Sequence, residues 1–193
     1  IKDKAVADVQ GITADTTIKD VAKDELATKA NEQKALIAQT ADATTEEKEQ
    51  ANQQVDAQLT QGNQNIENAQ SIDDVNTAKD NAIQAIDPIQ ASTDVKRNAR
   101  AELLTEMQNK ITEILNDNTT TNEEKGKDIE PVRAAYEEGL NNINTANTTG
   151  DVTTAKDTAV QKVQQLHANP VKKPAGKKEL DQAAADRKTQ IEQ

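Results

Sequence analysis

Few side chains in this sequence could do catalytic chemistry, and their spacing does not combine them into a reactive site. The chain has no cysteine and one histidine, His167, and its only serines are Ser71 and Ser92. A nucleophile needs a base within hydrogen-bond reach. We expect both serines at helix starts or turns, and His167 in an exposed turn near the end of a helix. The sequence therefore predicts a protein that is not an enzyme and has no catalytic residue.

The carboxylates are far more numerous, but their spacing is typical of helix starts. Glu47 follows Thr44 by three residues, and Asp74 follows Ser71 by three. In such a capping box, the hydroxyl accepts a backbone N–H from the third helical residue, whose side chain accepts the N–H of the cap. Asp73-Asp74 lacks the alternating oxygen ligands and the glycine of a calcium loop. We therefore expect no metal site, and no glycine-rich phosphate loop points to a cofactor.

The helix-start signal occurs twice and reveals an internal repeat. The residues Thr44-Thr45-Glu46-Glu47-Lys48 return 77 positions later as Thr121-Asn122-Glu123-Glu124-Lys125. At this offset, residues 18–94 align with residues 95–171 without a gap, and about a third of the aligned positions are identical. The predicted domains are the last helix of a preceding repeat in residues 1–17, repeat one in 18–94, repeat two in 95–171, and the first helix of a truncated following repeat in 172–193.

Each repeat has three segments in which apolar residues recur every three or four positions, which indicates amphipathic helices. In repeat one we expect these helices to run from about Ile18 to Gln39, from Thr44, and from Ser71 or Ile72 to Asp87-Pro88. Their apolar stripes are Ala22, Leu26, Ala30 and Ile37; Ala51, Val55, Leu59, Gly62, Ile66 and Ala69; and Val75, Ala78, Ala82, Ile86 and Ile89. The stripes of repeat two are Ala99, Leu103, Met107 and Ile114; Val132, Tyr136, Gly139, Ile143 and Ala146; and Val152, Ala155, Ala159, Val163 and Leu166.

Two glycines lie in the middle of the second stripe, at Gly62 and Gly139. A glycine inside a helix costs about 1 kcal/mol relative to alanine. Either a neighbouring helix approaches closely at this point, or the glycine is a tolerated weak point.

The second helix of repeat two carries Gly126 and Pro131 near its start. A proline inside a helix removes a hydrogen bond and clashes with the preceding turn, at a cost of roughly 3 kcal/mol. We expect a kink or broken first turns at Pro131. The alternative is a helix that restarts near Asp128, with Pro131 in its first turn.

The composition limits both the core and the partners. The chain is 34% hydrophobic and 1% aromatic, with no Phe or Trp, and its net charge is −11. Mostly Ala, Ile, Val and Leu are available for burial, so each repeat can form only a thin core. The negative charge argues against nucleic acid and against an anionic membrane surface, and no apolar run reaches the roughly 20 residues of a membrane span.

Three amphipathic helices of about 20–25 residues fold most simply as an up-down-up bundle. The predicted fold is therefore all-α, with tandem three-helix bundles of 77 residues that add length and form an elongated rod. The alternative is one long coiled coil, against which the capping boxes and the prolines at the joins argue.

The repeat resembles a known family. The matching residues are Thr44, Glu46, Glu47, Lys48, Val55, Ala57, Gly62, Ile66, Ala69, Asp74, Val75, Ala78, Lys79, Ala82, Ile86 and Pro88. They are similar to the tandem helical repeat of unknown function in staphylococcal cell-wall-anchored surface proteins of the SasC, FmtB (Mrp) and Ebh type. The second copy departs from this pattern at Gly126, Asp128 and Pro131. The resemblance implies a secreted, sortase-anchored protein on the surface of a Gram-positive cell wall.

The expected function is that of a structural spacer or stalk, which projects a distal adhesive region and supports cell aggregation or biofilm formation. Its expected partners are the neighbouring repeats of the same chain. One alternative is a module that binds a host extracellular or matrix protein, for which Tyr136, Arg97, Arg100, Arg133 and Arg187 are the available anchors. The other is homophilic adhesion between cells, which would need a bridging cation or a specific patch, because chains of net charge −11 repel each other.

Overall fold

The helical periodicity of the sequence is realised as seven α-helices within residues 16–191, the part of the chain that the computed structural model describes. The chain forms two units, which divide between Thr93 and Asp94. This arrangement confirms the all-α fold class. The predicted last helix of a preceding repeat, in residues 1–17, lies almost wholly outside the described residues.

The helices follow each other with short connections. The first unit contains α1 (Thr16–Ala38), α2 (Thr45–Asn68) and α3 (Ile72–Ile86), and the second contains α4 (Asp94–Asn116), α5 (Asn122–Thr145), α6 (Thr149–Gln164) and α7 (Lys172–Ile191). The third helix of each unit is shorter than expected, with 15 residues in α3 and 16 in α6. Pro88 explains the end of α3, because a proline disfavours helix continuation at the residue before it.

Capping boxes begin four of these helices, including those predicted at Thr44, Ser71 and Thr121. At α2 the Thr44 hydroxyl accepts the Glu47 N–H at 3.3 Å, and the Glu47 carboxylate accepts the Thr44 N–H at 2.9 Å. The same reciprocal pair begins α3, α5 and α6. These boxes satisfy N–H groups that have no partner inside the helix, so each helix starts at a defined residue.

Lysines at the helix ends show that the second helix of each unit runs antiparallel to the first. Lys125, near the start of α5, donates to the Leu115 carbonyl at the end of α4, at 2.6 Å. Lys96, near the start of α4, donates to the Asn144 carbonyl at the end of α5, at 2.8 Å. The matching contacts of the first unit are Lys48 with Ala38 at 2.9 Å and Lys19 with Glu67 at 2.6 Å.

The core of each unit is built from the same repeat positions. The largest fully buried side chains are Leu26, Ile37, Val55, Ile66, Val75 and Ile86 in the first unit and Leu103, Ile114, Val132, Ile143, Val152 and Val163 in the second. Each pair is separated by the repeat offset, and all of them lie on the predicted stripes. The two cores are therefore copies of one packing pattern, filled with aliphatic side chains.

Close helix packing explains the two glycines in the middle of the second helix. A Cβ placed on Gly62 would lie 2.6 Å from both the Ala82 Cβ and the Leu26 Cδ2. On Gly139 it would lie 2.3 Å from the Ala159 Cβ. These distances are far below van der Waals contact, so the first of the two explanations for the glycines is confirmed.

Pro131 lies within a continuous helix, because α5 extends without interruption from Asn122 to Thr145. The expectation of broken first turns was wrong, and so was the alternative restart near Asp128, while a kink at Pro131 within the continuous helix stays a prediction. The capping box at Thr121 secures the helix start. Pro131 and Lys127 are both exposed, so the Lys127 carbonyl, which loses its helical donor to the proline, lies on a solvated turn.

Two polar side chains occupy apolar positions of the repeat in the first unit. The Oδ1 atoms of Asn52 and Asn63 are buried and have no hydrogen-bond partner among the described residues. Repeat two has Ile129 and Leu140 at the corresponding positions, and Ile129 packs against the core. A buried oxygen without a partner costs about 1–3 kcal/mol, so we expect these asparagines to weaken the first unit.

We expect Gly139→Ala and Gly126→Ala, two identical substitutions in α5, to have opposite effects. The methyl group at Gly139 would overlap with Ala159 and should cost about 1–3 kcal/mol. At Gly126 it would meet open space, so better helix propensity should add up to about 1 kcal/mol. Urea denaturation followed by circular dichroism measures both. Adding Ala159→Gly should recover part of the loss at Gly139, and equal losses at both glycines would contradict the packing explanation.

We expect Asn52→Ile to stabilise the first unit, because it removes an unpaired buried oxygen and supplies the side chain that repeat two has at Ile129. The expected gain is about 1 kcal/mol or more in the free energy of unfolding. Thermal and urea denaturation measure it, with Asn65→Leu at an exposed position of the same helix as the control. A loss of stability in Asn52→Ile would contradict this prediction.

Candidate functional site

The two serines and the histidine lie in a helix cap or in the segments between helices. The Ser71 hydroxyl accepts the Asp74 N–H at 3.2 Å and donates to the Asp74 carboxylate at 2.7 Å, as part of the cap of α3. Ser92 lies in the segment between α3 and α4, and His167 is exposed just beyond α6, as predicted. In residues 16–191, no three His, Asp or Glu side chains are grouped so that they could hold a metal ion.

Most of the candidate anchors for a protein partner make contacts within their own unit, while Arg133 lies exposed on α5. Tyr136 is partly buried and packs against the core of the second unit. Arg97 pairs with Asp94, and the Arg100 Nε donates to the Asn144 Oδ1 at 2.7 Å. Arg187 donates to Gln190 on the same helix at 3.1 Å.

Several buried polar side chains were not identified from the sequence. Lys96 is 3% exposed, and Lys110, which is 7% exposed, pairs with Glu113 at 2.7 Å. At the position of Lys110 in the first repeat, Gln33 donates to the Ile89 carbonyl at 2.6 Å. Lys96 and Gln33 thus cover carbonyls at or beyond the ends of helices, where intrahelical donors are missing. In the sequence, the recurrence of Lys19 as Lys96 at the repeat offset is the only signal that indicates part of this set of contacts.

Four hydrogen-bond donors in the second unit surround the carboxylate of Glu124. Its Oε2 accepts the Thr121 N–H and the Thr121 hydroxyl, both at 2.8 Å. Its Oε1 accepts the N–H groups of Val171 at 3.0 Å and Lys172 at 2.7 Å. One carboxylate therefore binds the start of α5 and the start of α7, although the sequence predicts only the first of these roles.

These hydrogen bonds act on the charged form of Glu124. The Thr121 N–H contributes most, followed by the Lys172 N–H, and together with the other donors they lower the pKa of Glu124 from 4.5 to about 2. Burial opposes this shift, since the residue is 8% exposed and desolvation favours a neutral carboxyl. Glu124 therefore carries its charge at any pH well above 2.

Further polar contacts surround this point. Lys172 pairs with Glu123, which lowers the pKa of Glu123 and raises that of Lys172. Lys173 donates to the Asn118 carbonyl at 2.7 Å, and the Asp128 carboxylate accepts the Asn169 N–H at 2.8 Å. The start of α5 thus presents acidic groups to a segment that is rich in lysine. These contacts can hold the start of α7 against the start of α5.

The rest of the described surface offers little that could enclose a ligand. The end of α1 and the segment after α3 form a shallow groove, lined by Gln33, Leu36, Ile37 and Ile89 among others. The other depressions are open surfaces along α7 and a small one beside Ile18. Within residues 16–191, none of the helices combines the length and the apolar character that a bilayer-spanning helix requires.

Comparison with known proteins identifies the repeat. A family model described as Domain of Unknown Function (DUF1542) matches the chain twice, at residues 18–94 and 95–171. No curated protein and no solved structure matches the chain.

We expect Glu124→Gln to be less stable than the native protein above pH 4.5, with a difference that shrinks as the pH falls toward 2. The folded-state pKa is lowered, so the stabilisation is complete above 4.5 and is lost as Glu124 becomes protonated near pH 2. Urea midpoints measured across this range test the prediction. Glu137→Gln, an exposed change on the same helix, is the control. A difference that stays constant down to pH 2 would contradict the role of the charge.

Proposed function

This chain belongs to the DUF1542 family, and we propose that its repeats are structural spacers of a bacterial cell-wall-anchored surface protein. In this role the repeats lie outside the cell and carry an adhesive region away from the wall, in support of cell aggregation or biofilm formation. The family occurs in staphylococcal surface proteins such as Ebh and FmtB, which supports this location.

The observation that carries the proposal is the direction of the helices within each unit. Glu102 of α4 pairs with Lys156 of α6 at 2.9 Å, and each lies about two turns after the start of its helix. Lys96 also places the end of α5 beside the start of α4, and α6 begins only a few residues later, so the first and third helices are parallel and the second is antiparallel to both. In the first unit, Glu25 pairs with Lys79 at 2.5 Å. Further along α1, Gln33 contacts the Ile89 carbonyl just beyond the end of α3, which gives the same parallel arrangement.

This topology suits a spacer, because the chain enters a unit at one end and leaves it at the other. The 23 residues of α4 span roughly 35 Å at 1.5 Å per residue. Each additional repeat could therefore add about the length of one helix without any change in its fold.

The contacts of the candidate anchors favour a spacer over a binding module. Interface hot spots are usually aromatic or arginine side chains that a partner can bury. Tyr136 already packs against its own core, and Arg97 and Arg100 bind groups of their own unit. Presenting Tyr136, the only aromatic side chain, to a partner would require its core contacts to break, while Arg133 and Arg187 lie on the exposed surface.

We expect arrays of this repeat to lengthen steeply with copy number. Val171 precedes the residue that aligns with Ile18, so residues 18–171 can be joined head to tail in the native register. Small-angle scattering of arrays with one, two and three such segments gives the radius of gyration. For spacers it should grow more steeply than the roughly 0.6 power of chain length that unfolded chains follow, whereas compact proteins follow about the 0.38 power. Compact scaling would reject the spacer role.

A further inference from the structure

Helix α7 is held at its start and exposed along the rest of its length. All of its residues from Lys172 to Ile191 are exposed, and none of them belongs to the core of the second unit. The described contacts that hold it to α5 and to the segment before α5 are polar and involve its first residues. Its placement therefore depends on a few hydrogen bonds.

Those hydrogen bonds satisfy the start of α7 almost completely. The first N–H groups of a helix have no intrahelical acceptor. In α7, Pro174 has no N–H to satisfy, and the N–H groups of Val171 and Lys172 both bind Glu124. The first helical bond then forms from Ala175 to the Val171 carbonyl, at 3.2 Å. Glu124 thus supplies the N-terminal cap that α7 lacks in its own sequence.

The same carboxylate lies at the positive ends of two helix dipoles. A helix start carries a partial positive charge, which a carboxylate stabilises. The starts of α5 and α7 meet at Glu124, and without this charge two positive ends would face each other. Asp128 adds a further carboxylate to the same segment by accepting the Asn169 N–H at 2.8 Å.

We propose that Glu124 is the residue that joins repeats, because its carboxylate fixes the direction in which α7 leaves the second repeat. Residue 172 aligns with residue 95 at the repeat offset, so α7 corresponds to the first helix of a following repeat. The start of α5 is then the docking surface for that helix. This inference deepens the proposed spacer function by making the join between repeats directional.

Distance measurements by electron spin resonance test this proposal on the full chain. The native sequence has no cysteine, so spin labels can be placed at Glu137→Cys on α5 and Glu179→Cys on α7, both exposed. We expect a narrow distance distribution in the native background and loss of the narrow peak in Glu124→Ala. A reference pair at Glu137→Cys and Asn109→Cys, within the bundle, should stay narrow in both.

A matched control separates the join from the cap of α5. Thr121→Ala also removes a capping interaction of α5 but leaves the Glu124 Oε1 and its two donors in place. We expect Thr121→Ala to lower the free energy of unfolding of the unit and to leave the distance distribution between the labels on α5 and α7 narrow. Lys172→Met, which removes only the ion pair with Glu123, should leave it narrow as well.

The outcomes distinguish this inference from the spacer function. A narrow peak that survives in Glu124→Ala would overturn the joining role, and so would equal broadening in Thr121→Ala. Neither result would alter the scaling of array length with copy number, which tests the spacer alone. Broadening that is confined to Glu124→Ala would establish the carboxylate as the joining residue.

Discussion

The packing of each unit depends on one close contact, where the second helix carries a glycine. In the second unit Gly139 faces Ala159 of the third helix and Leu103 of the first, and the first unit repeats this contact at Gly62. The chain contains no Phe or Trp, so its core must be filled by short side chains. Short side chains fill an interior at native density only if the helices come close together. The glycine allows that approach, and the remaining stripe residues can then meet.

Because the core is thin, polar contacts at the helix ends contribute much to specifying the fold. Charged residues make up 30% of the chain, and many of them bind backbone groups that would otherwise lack a partner. Carboxylates close the helix starts through capping boxes, while Lys48 and Lys125 cover carbonyls where the first helices end. These contacts define where each helix stops and which helix it meets. Contacts at the helix ends therefore account for part of the abundance of charge.

The features that could be predicted from the sequence are local or repeated. Capping boxes need only four neighbouring residues, and the stripes need only helical spacing, so both were identified correctly. The intact first turns of α5 were not predicted, because a proline is tolerated where its turn is exposed, and exposure depends on the fold. The second role of Glu124 joins it to residues 47 and 48 positions further along the chain. No periodic pattern in the sequence indicates that contact, and the capping box was already a sufficient reason for a glutamate at position 124.

The double role of Glu124 links the stability of a unit to its connection with the next helix. The capping bonds at Thr121 stabilise α5, and the bonds to Val171 and Lys172 stabilise α7, through two oxygens of one carboxylate. Removing the charge therefore weakens the unit and the join together, which a separate linker contact would not do. In repeat proteins, stability is a sum of terms within repeats and terms between neighbours. The carboxylate of Glu124 contributes both to the stability within its repeat and to the contact with the next helix. The direction of α7 is therefore fixed only while the repeat is folded, and unfolding of that repeat also releases the helix that follows it.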